Sequence, residues 1–150
     1  MIRMSKPFSR LWYREYVIPS LGADDVMLGT SALCEHGLTV SEYPVPIVGR
    51  ITPNRERVIP LIAAIYNIPT SVDKIFCTPY HGVWLPSPER AIVESLLYDN
   101  LYNELGEFYD CLSCYKSSPQ FSEQKLREVC DHFSFPYSRV LEELDECDRI

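Results

Sequence analysis

Four side chains with metal-binding chemistry stand in the last third of the 150-residue sequence: Cys111, Cys114, Cys130 and His132. Thiolate and imidazole are the ligands that structural zinc prefers, and a closed tetrahedral site needs four of them. Two features weigh against zinc, because the first two cysteines fall inside a helical pattern and Cys-x-His is not a usual second ligand pair. A redox role for the first pair is weaker still, since no strand precedes it to place a thiol at a helix start. We therefore expect no cofactor and leave metal binding by these four residues open.

The sequence carries none of the short motifs that mark common active sites. It has no glycine-rich phosphate loop, no Gly-x-Ser-x-Gly, no His-Glu-x-x-His and no dinucleotide fingerprint. Neighbouring acidic residues such as Asp24 and Asp25 would point apart on a helix, so they make poor acid–base partners. These observations predict a protein that is not an enzyme and has no small-molecule substrate.

Composition and charge narrow the class of protein further. The chain is 46% hydrophobic with a net charge of −7, which predicts one domain over 1–150 and disfavours nucleic acid as a partner. No apolar run approaches the ~18–20 residues that span a bilayer, and no secretion signal begins the sequence. We therefore expect a cytoplasmic protein without a membrane association, whose six cysteines are reduced.

The periodicity of apolar residues predicts an α+β fold with helices at both ends. Residues 1–38 are predicted to be helical, at 8–17 and from Asp24 or Asp25 to Glu35, with Gly37 as a left-handed helix end. Residues 87–150 are also predicted to be helical. Ser87 is a good N-cap before Pro88, which suits the first helical position. Further helices are predicted at 101–115, 122–133 and 134–144.

The middle segment, residues 39–86, is predicted to be mainly β and to form a small antiparallel or mixed region. Valine and isoleucine among prolines at 45–51 predict an edge or short strand, because proline cannot donate to a central ladder. The apolar run at 58–68 is ambiguous, and we favour a helix there. Strands are predicted at 74–77 and 82–85, with the turn between them at 78–81.

Four residues near the junction of these parts are candidates for contact with a partner. Tyr80 and Trp84 are aromatic, and Trp, Tyr and Arg dominate the energetics of protein interfaces, although a tryptophan in a strand is usually core. Arg90 and Glu94 lie four residues apart in the helix that follows Ser87, where they can pair on the helix surface. We favour a role for this pair in shaping the helix over direct contact with a partner.

Two stretches resemble a known family. The first is Ser-Ala-Leu-Cys-Glu-His-Gly-Leu at 31–38, and the second is Ser-Pro-Glu-Arg-Ala-Ile-Val-Glu-Ser-Leu at 87–96. Their order and spacing, over about 25–145, resemble the AbiEi-type antitoxins of bacterial type IV toxin–antitoxin systems. The resemblance implies a protein that antagonises a nucleotidyltransferase-like toxin and takes part in abortive infection, a form of phage defence. Neither motif is catalytic.

The family commonly carries an amino-terminal winged helix that binds DNA. Only about thirty residues precede Ser31 here, fewer than the ~60 such a domain takes, so we expect action through protein contacts. One alternative is a phage or mobile-element protein that keeps an antitoxin-like fold and inhibits a host defence complex. Another is a nucleic-acid-binding regulator that uses basic residues beside aromatic ones: Arg3, Lys6, Arg10, Arg14, Trp12 and Tyr13.

Overall fold

The computed structural model describes residues 9–39, 43–44, 46–50, 66–68, 74–98 and 105–148. Within these residues the predicted α+β fold is confirmed, with a small mixed sheet between helices at both ends. The elements in chain order are α1 (Arg10–Trp12, continued by a π-helical turn Tyr13–Val17 and a 3-10 turn Ile18–Ser20), β1 (Asp25–Met27), α2 (Gly29–Glu35), β2 (Ile47–Arg50), β3 (Tyr66–Ile68), β4 (Cys77–Tyr80), β5 (Val83–Pro86), α3 (Pro88–Leu97), α4 (Leu105–Lys116), α5 (Glu123–Phe133) and α6 (Tyr137–Glu146).

The sheet has the strand order β3-β2-β1-β5-β4, so the first strand of the chain lies at its centre. β1 runs antiparallel to β2 and parallel to β5, where Val26 lies opposite Trp84. β2 and β3 are parallel, and β4 and β5 form an antiparallel hairpin. β4 is therefore an edge strand, in which Pro79 lies opposite Trp84 and the Cys77 N–H donates to the Lys74 carbonyl at 3.1 Å.

The predicted helix from Asp24 or Asp25 to Glu35 is wrong in its first part, which is strand β1. Val26, Met27 and Leu28 are completely buried, since a central strand is covered on both faces and shows no polar alternation. A short apolar run of this kind cannot be told from a buried helix by periodicity. Gly29 has a φ of +53°, a conformation that glycine adopts without strain, and it turns the chain from β1 into α2.

The end of α2 agrees with the prediction. Gly37 has a φ of +78°. The Leu38 N–H donates to the Leu33 carbonyl at 3.0 Å, and the Gly37 N–H donates to the Cys34 carbonyl at 2.9 Å. This pair of bonds is a Schellman motif, which satisfies carbonyls that the helix end would leave without partners.

The predictions for the extended region are confirmed in part. Of the two alternatives for 45–51, an edge strand or a short strand, the structure shows the short one: β2 has four residues and lies between β1 and β3. Pro44 and Pro46 precede β2 and so leave its ladder intact. The helix favoured for 58–68 is wrong at its end, where Tyr66–Ile68 forms β3, and 58–65 lies outside the described residues.

The hairpin was predicted with its turn in the wrong place. Residues 78–80 belong to strand β4, and the turn is formed by His81 and Gly82. Their φ angles are +48° and +83°, as a two-residue turn of type I′ requires. Thr78-Pro79 resembles a turn in sequence, but proline is also tolerated in an edge strand.

The remaining helices are confirmed within the described residues, except that α6 begins at Tyr137 and not at 134, because Ser134 has a φ of +52° and ends α5. Trp12 and Tyr13 are buried in α1 while Arg10 and Arg14 are exposed. The Ser122 hydroxyl caps α5 by accepting from the Lys125 N–H at 3.2 Å. Residues 101–104, predicted to begin α4, lie outside the described residues. The helices pack on one another in a hydrophobic core that extends along the sequence from Trp12 to Cys147, and no described helix has the length and apolar character to cross a bilayer.

Candidate protein-interaction site

The β4–β5 hairpin presents an exposed surface, which we call the hairpin surface. It consists of Thr78, His81 and Gly82, all exposed, together with the partly exposed Tyr80. Side chains from two helices, α2 with its final turn and α3, contact this hairpin and its flanks. These are the helices that contain the two family-like motifs, and they pack against each other. Three of their side chains, described next, fix the hairpin in place.

Arg90 in α3 supports β4 from the core. Its side chain is completely buried, and its Nε donates to the Glu94 carboxylate at 2.6 Å. Its Nη1 donates to the carbonyl of Ile75 and to the Sγ of Cys77, the latter at 3.1 Å. The spacing of the predicted Arg90–Glu94 pair is therefore confirmed, but its surface location is wrong. Both residues are buried, so neither can contact a partner directly.

Glu35 at the end of α2 holds Tyr80. The Tyr80 hydroxyl donates to Glu35 Oε2 at 2.5 Å and accepts from Arg14 Nη2 at 3.3 Å. Burial and the hydrogen bond to Glu35 raise the pKa of Tyr80, so its hydroxyl stays a donor at neutral pH. Glu35 is only 5% exposed, and its Oε1 has no hydrogen-bond partner among the described residues. A buried acceptor left in this state costs about 1–3 kcal/mol.

His36 links three elements at the base of the hairpin. Its Nε2 lies 2.7 Å from the carbonyl oxygen of Pro86, at the end of β5, which requires the protonated nitrogen to donate. Its own carbonyl accepts from the side-chain amide of Gln120 at 3.1 Å, in the α4–α5 connection. Sequence reasoning singled out neither Glu35 nor His36 for this role. No sequence signal pointed to Glu35, because it lies four residues from Ser31 and the two predict a polar, solvent-facing side of α2.

Trp84 does not belong to the hairpin surface around Tyr80. Tyr80 lies opposite Val83 in the ladder and Trp84 lies opposite Pro79, so the two aromatic side chains are on opposite faces of the sheet. Trp84 is partly buried, its indole N–H donates to the Ala23 carbonyl at 3.0 Å, and Lys74 Nζ lies 4.7 Å from its ring centroid. The structure thus joins Tyr80 to the motif helices and places Trp84 apart from them.

The cysteine cluster does not converge on one point. In the part of the chain that the structure describes, no three His, Cys, Asp or Glu side chains are arranged to hold a metal ion. Burial raises the pKa of the Cys114 and Cys130 thiols, and the neighbouring Cys34 together with burial raises that of Cys111. His132 packs edge-on against Phe76 and Phe133. Protonated thiols are poor ligands and poor nucleophiles.

The basic and aromatic residues near the amino terminus do not form a stacking platform. Trp12 is 5% exposed and Tyr13 is completely buried, so neither ring can receive a nucleic-acid base. Arg3 and Lys6 lie outside the described residues. Arg14 is exposed, and its guanidinium donates to the Tyr80 hydroxyl of the hairpin.

Comparison with known proteins adds information on the fold. No protein-family model matches the sequence, and no match was found among curated proteins. The chain is similar to the RV2827C protein from Mycobacterium tuberculosis, known from a crystal structure, with a TM-score of 0.57 and 16% sequence identity. The similarity covers 96% of this chain and 54% of that chain, so this chain spans about half the length of the other protein. At this identity the likeness concerns the fold alone.

Proposed function

We propose that this chain is a non-enzymatic, cytoplasmic protein of the AbiEi antitoxin type, which binds and antagonises a nucleotidyltransferase-type toxin through the hairpin surface. The observation that carries the proposal is the convergence of the two family-like motifs beneath one exposed hairpin. Glu35 and His36 come from the first motif and Arg90 from the second, and each bonds to the hairpin or its flanks.

The contacts under the hairpin suit it to recognition of a protein. Binding costs free energy when a loop or side chain must be ordered at the interface, roughly 0.5–1.5 kcal/mol per immobilised side chain. Here the ordering has already taken place, because Arg90 fixes the segment before β4, His36 fixes the end of β5 and Glu35 fixes Tyr80. The net charge of −7 adds a preference for a partner with a basic surface.

The test is co-purification of the tagged chain with a nucleotidyltransferase encoded beside it, together with assay of that enzyme. Wild type should retain the enzyme and inhibit nucleotide transfer. Thr78→Arg on the exposed side of β4 should weaken retention at least tenfold. Ser138→Arg, which places the same new side chain on the exposed surface of α6, is the matched control and should behave as wild type.

Two results would count against the proposal. If the purified wild-type chain leaves the nucleotidyltransferase fully active, the neutralising role is wrong. If tagged protein instead retains a nuclease or another complex of host defence, the alternative of a defence inhibitor with an antitoxin-like fold takes its place. Retardation of labelled duplex or single strand at low salt would support the nucleic-acid-binding alternative.

A further inference from the structure

We propose that the exposed side of α1, formed by Arg10, Leu11 and Arg14, binds an acidic segment of the protein partner that carries an apolar side chain. We call these three residues the α1 face, and all of them are exposed to solvent. The inference rests on the proposed function in one respect, that the partner is a protein. It extends the contact from the hairpin surface onto α1 and names the chemistry of the segment bound there.

The α1 face is the solvent side of a helix whose other side belongs to the core. Trp12 and Tyr13 are 5% and 0% exposed, and they fix the helix against the core. Arg10 and Arg14 are four residues apart, so their side chains leave the same side of the helix. Leu11 precedes Arg14 by three residues and lies beside it. A partner can therefore contact all three side chains at once without any change in the core.

Arg14 joins the α1 face to the hairpin surface. Its Nη2 donates to the Tyr80 hydroxyl at 3.3 Å, and Tyr80 donates to Glu35 at 2.5 Å. The rings of His81 and Tyr80 pack edge to face, with their centroids 4.5 Å apart. Tyrosine and arginine are among the residues that contribute most to binding at protein interfaces. The two surfaces thus form one continuous area that a single partner can cover.

Charge favours carboxylates as the groups that bind to the α1 face. Among the described residues, three other cations form ion pairs with carboxylates: Arg90, Lys116 and Arg127. Arg10 and Arg14 form none there, and a guanidinium can donate two parallel hydrogen bonds to one carboxylate. The net charge of −7 acts on a partner's approach, but at the contact itself salt screens exposed charges that lie more than about 10 Å away.

Leu11 adds an apolar group to what the partner must present. Among the large apolar side chains that the structure describes, Leu11 is the most exposed, at 57%. Glu15 follows it by four residues and so bounds the α1 face on the side away from Arg10. An acidic segment fits when its carboxylates meet the two arginines and its apolar side chain covers Leu11. Nucleic acid fits less well, because the rings of Trp12 and Tyr13 are buried and no base can stack on them.

The experiment measures binding of a blocked acidic peptide, Asp-Glu-Leu-Leu-Glu-Asp, to the full chain by amide NMR spectra at constant ionic strength. Wild type should show saturable shifts at Arg10, Leu11, Arg14 and Tyr80. The neutral peptide Asn-Gln-Leu-Leu-Gln-Asn, which has the same shape, should bind at least tenfold more weakly.

Exposed substitutions test the residues themselves. The double variant Arg10→Gln with Arg14→Gln should weaken binding of the acidic peptide at least tenfold. Lys125→Gln with Arg139→Gln is the matched control, because it removes two exposed cations from α5 and α6 and changes the net charge equally. It should bind the peptide as wild type does. Leu11→Ser should weaken binding several times.

Three results would overturn the inference: no saturable binding of the acidic peptide to wild type, equal affinity for the two peptides, or equal affinity in wild type and the double arginine variant. Tighter binding of a short oligothymidylate would also overturn it, since the α1 face would then be a phosphate site. Because the peptide needs no toxin, its binding alongside failed co-purification refutes the proposed function alone. Successful co-purification alongside any of the overturning results refutes this inference alone.

Discussion

The buried ion pair beneath the hairpin allows a sharp test of the structure. Glu94→Gln keeps the shape of the side chain and one acceptor oxygen, but removes the negative charge that pairs with the Arg90 guanidinium. The two side chains are 0% and 3% exposed, and they are 2.6 Å apart. Removing one member of a buried pair costs about 3–5 kcal/mol. We expect a loss of about 3 kcal/mol, the lower end, because the amide oxygen still accepts.

The chain contains its own control for this experiment. Glu123 and Arg127 form a pair with the same four-residue spacing at 3.0 Å, but their side chains are 56% and 59% exposed. Exposed helical pairs of this kind contribute only about 0.3–0.5 kcal/mol. Glu123→Gln should therefore change stability several times less than Glu94→Gln, although the chemical substitution is identical.

Urea unfolding, followed by the fluorescence of the two tryptophans, the buried Trp12 and the partly buried Trp84, provides the measurement. With a slope of about 2 kcal/mol per molar urea, Glu94→Gln should lower the midpoint by ~1.5 M and Glu123→Gln by ~0.2 M. The double variant Arg90→Met with Glu94→Leu should recover much of the loss, since apolar residues can replace a buried pair. Equal midpoints for the two single variants would refute the assignment of Arg90 and Glu94 to the core.

Three further outcomes follow from single residues. Gly82→Ala should lower the free energy of unfolding by about 1–2 kcal/mol, because the φ of Gly82 is +83°. Gly106→Ala in α4 should raise it by up to ~1 kcal/mol. Neither new Cβ would lie within 4 Å of another atom, and thermal unfolding of the two variants gives the comparison. Ser31→Ala should cost about 1–3 kcal/mol in urea, because its buried hydroxyl accepts from the first N–H of β2 at 2.8 Å. The hydrogen bond to Glu143 raises the pKa of Tyr109 to about 12 from 10.0. The contribution of this bond to the free energy of unfolding is therefore complete below pH 10 and disappears as pH rises through 12. In an absorbance titration at 295 nm, Tyr109→Phe should lack a step near pH 12 that wild type shows.

The elements predicted correctly are those whose ends are fixed by neighbours in sequence. Ser87 and Ser122 cap their helices with their own hydroxyls, and Gly37 ends α2 by its own φ. Strand β1 could not be predicted this way. Its three residues, Asp25, Val26 and Met27, are all buried and give no alternating pattern, and they are extended because they pair with β2 and β5, which come later in the chain.

The pairing of residues in the candidate site was predictable from their spacing in the sequence, but their burial was not. Four-residue spacing was enough to pair Arg90 with Glu94. That the pair is buried depends on Ile75 and Cys77, whose acceptor atoms are brought to Arg90 by the hairpin. Glu35 was missed for a related reason, since its contact with Tyr80 joins residues that only the folded sheet places side by side.

The position of Pro79 has a consequence for how any protein can approach this edge of the sheet. In an antiparallel hairpin with a two-residue turn, the N–H groups of Pro79 and Cys77 would be the ones that point outward from β4. Pro79 has no N–H, and that of Cys77 donates to Lys74. The outer side of β4 thus offers no donor for an added strand, which protects this edge of the sheet from edge-to-edge pairing. A partner at this edge must be recognised by side chains and not by extension of the sheet.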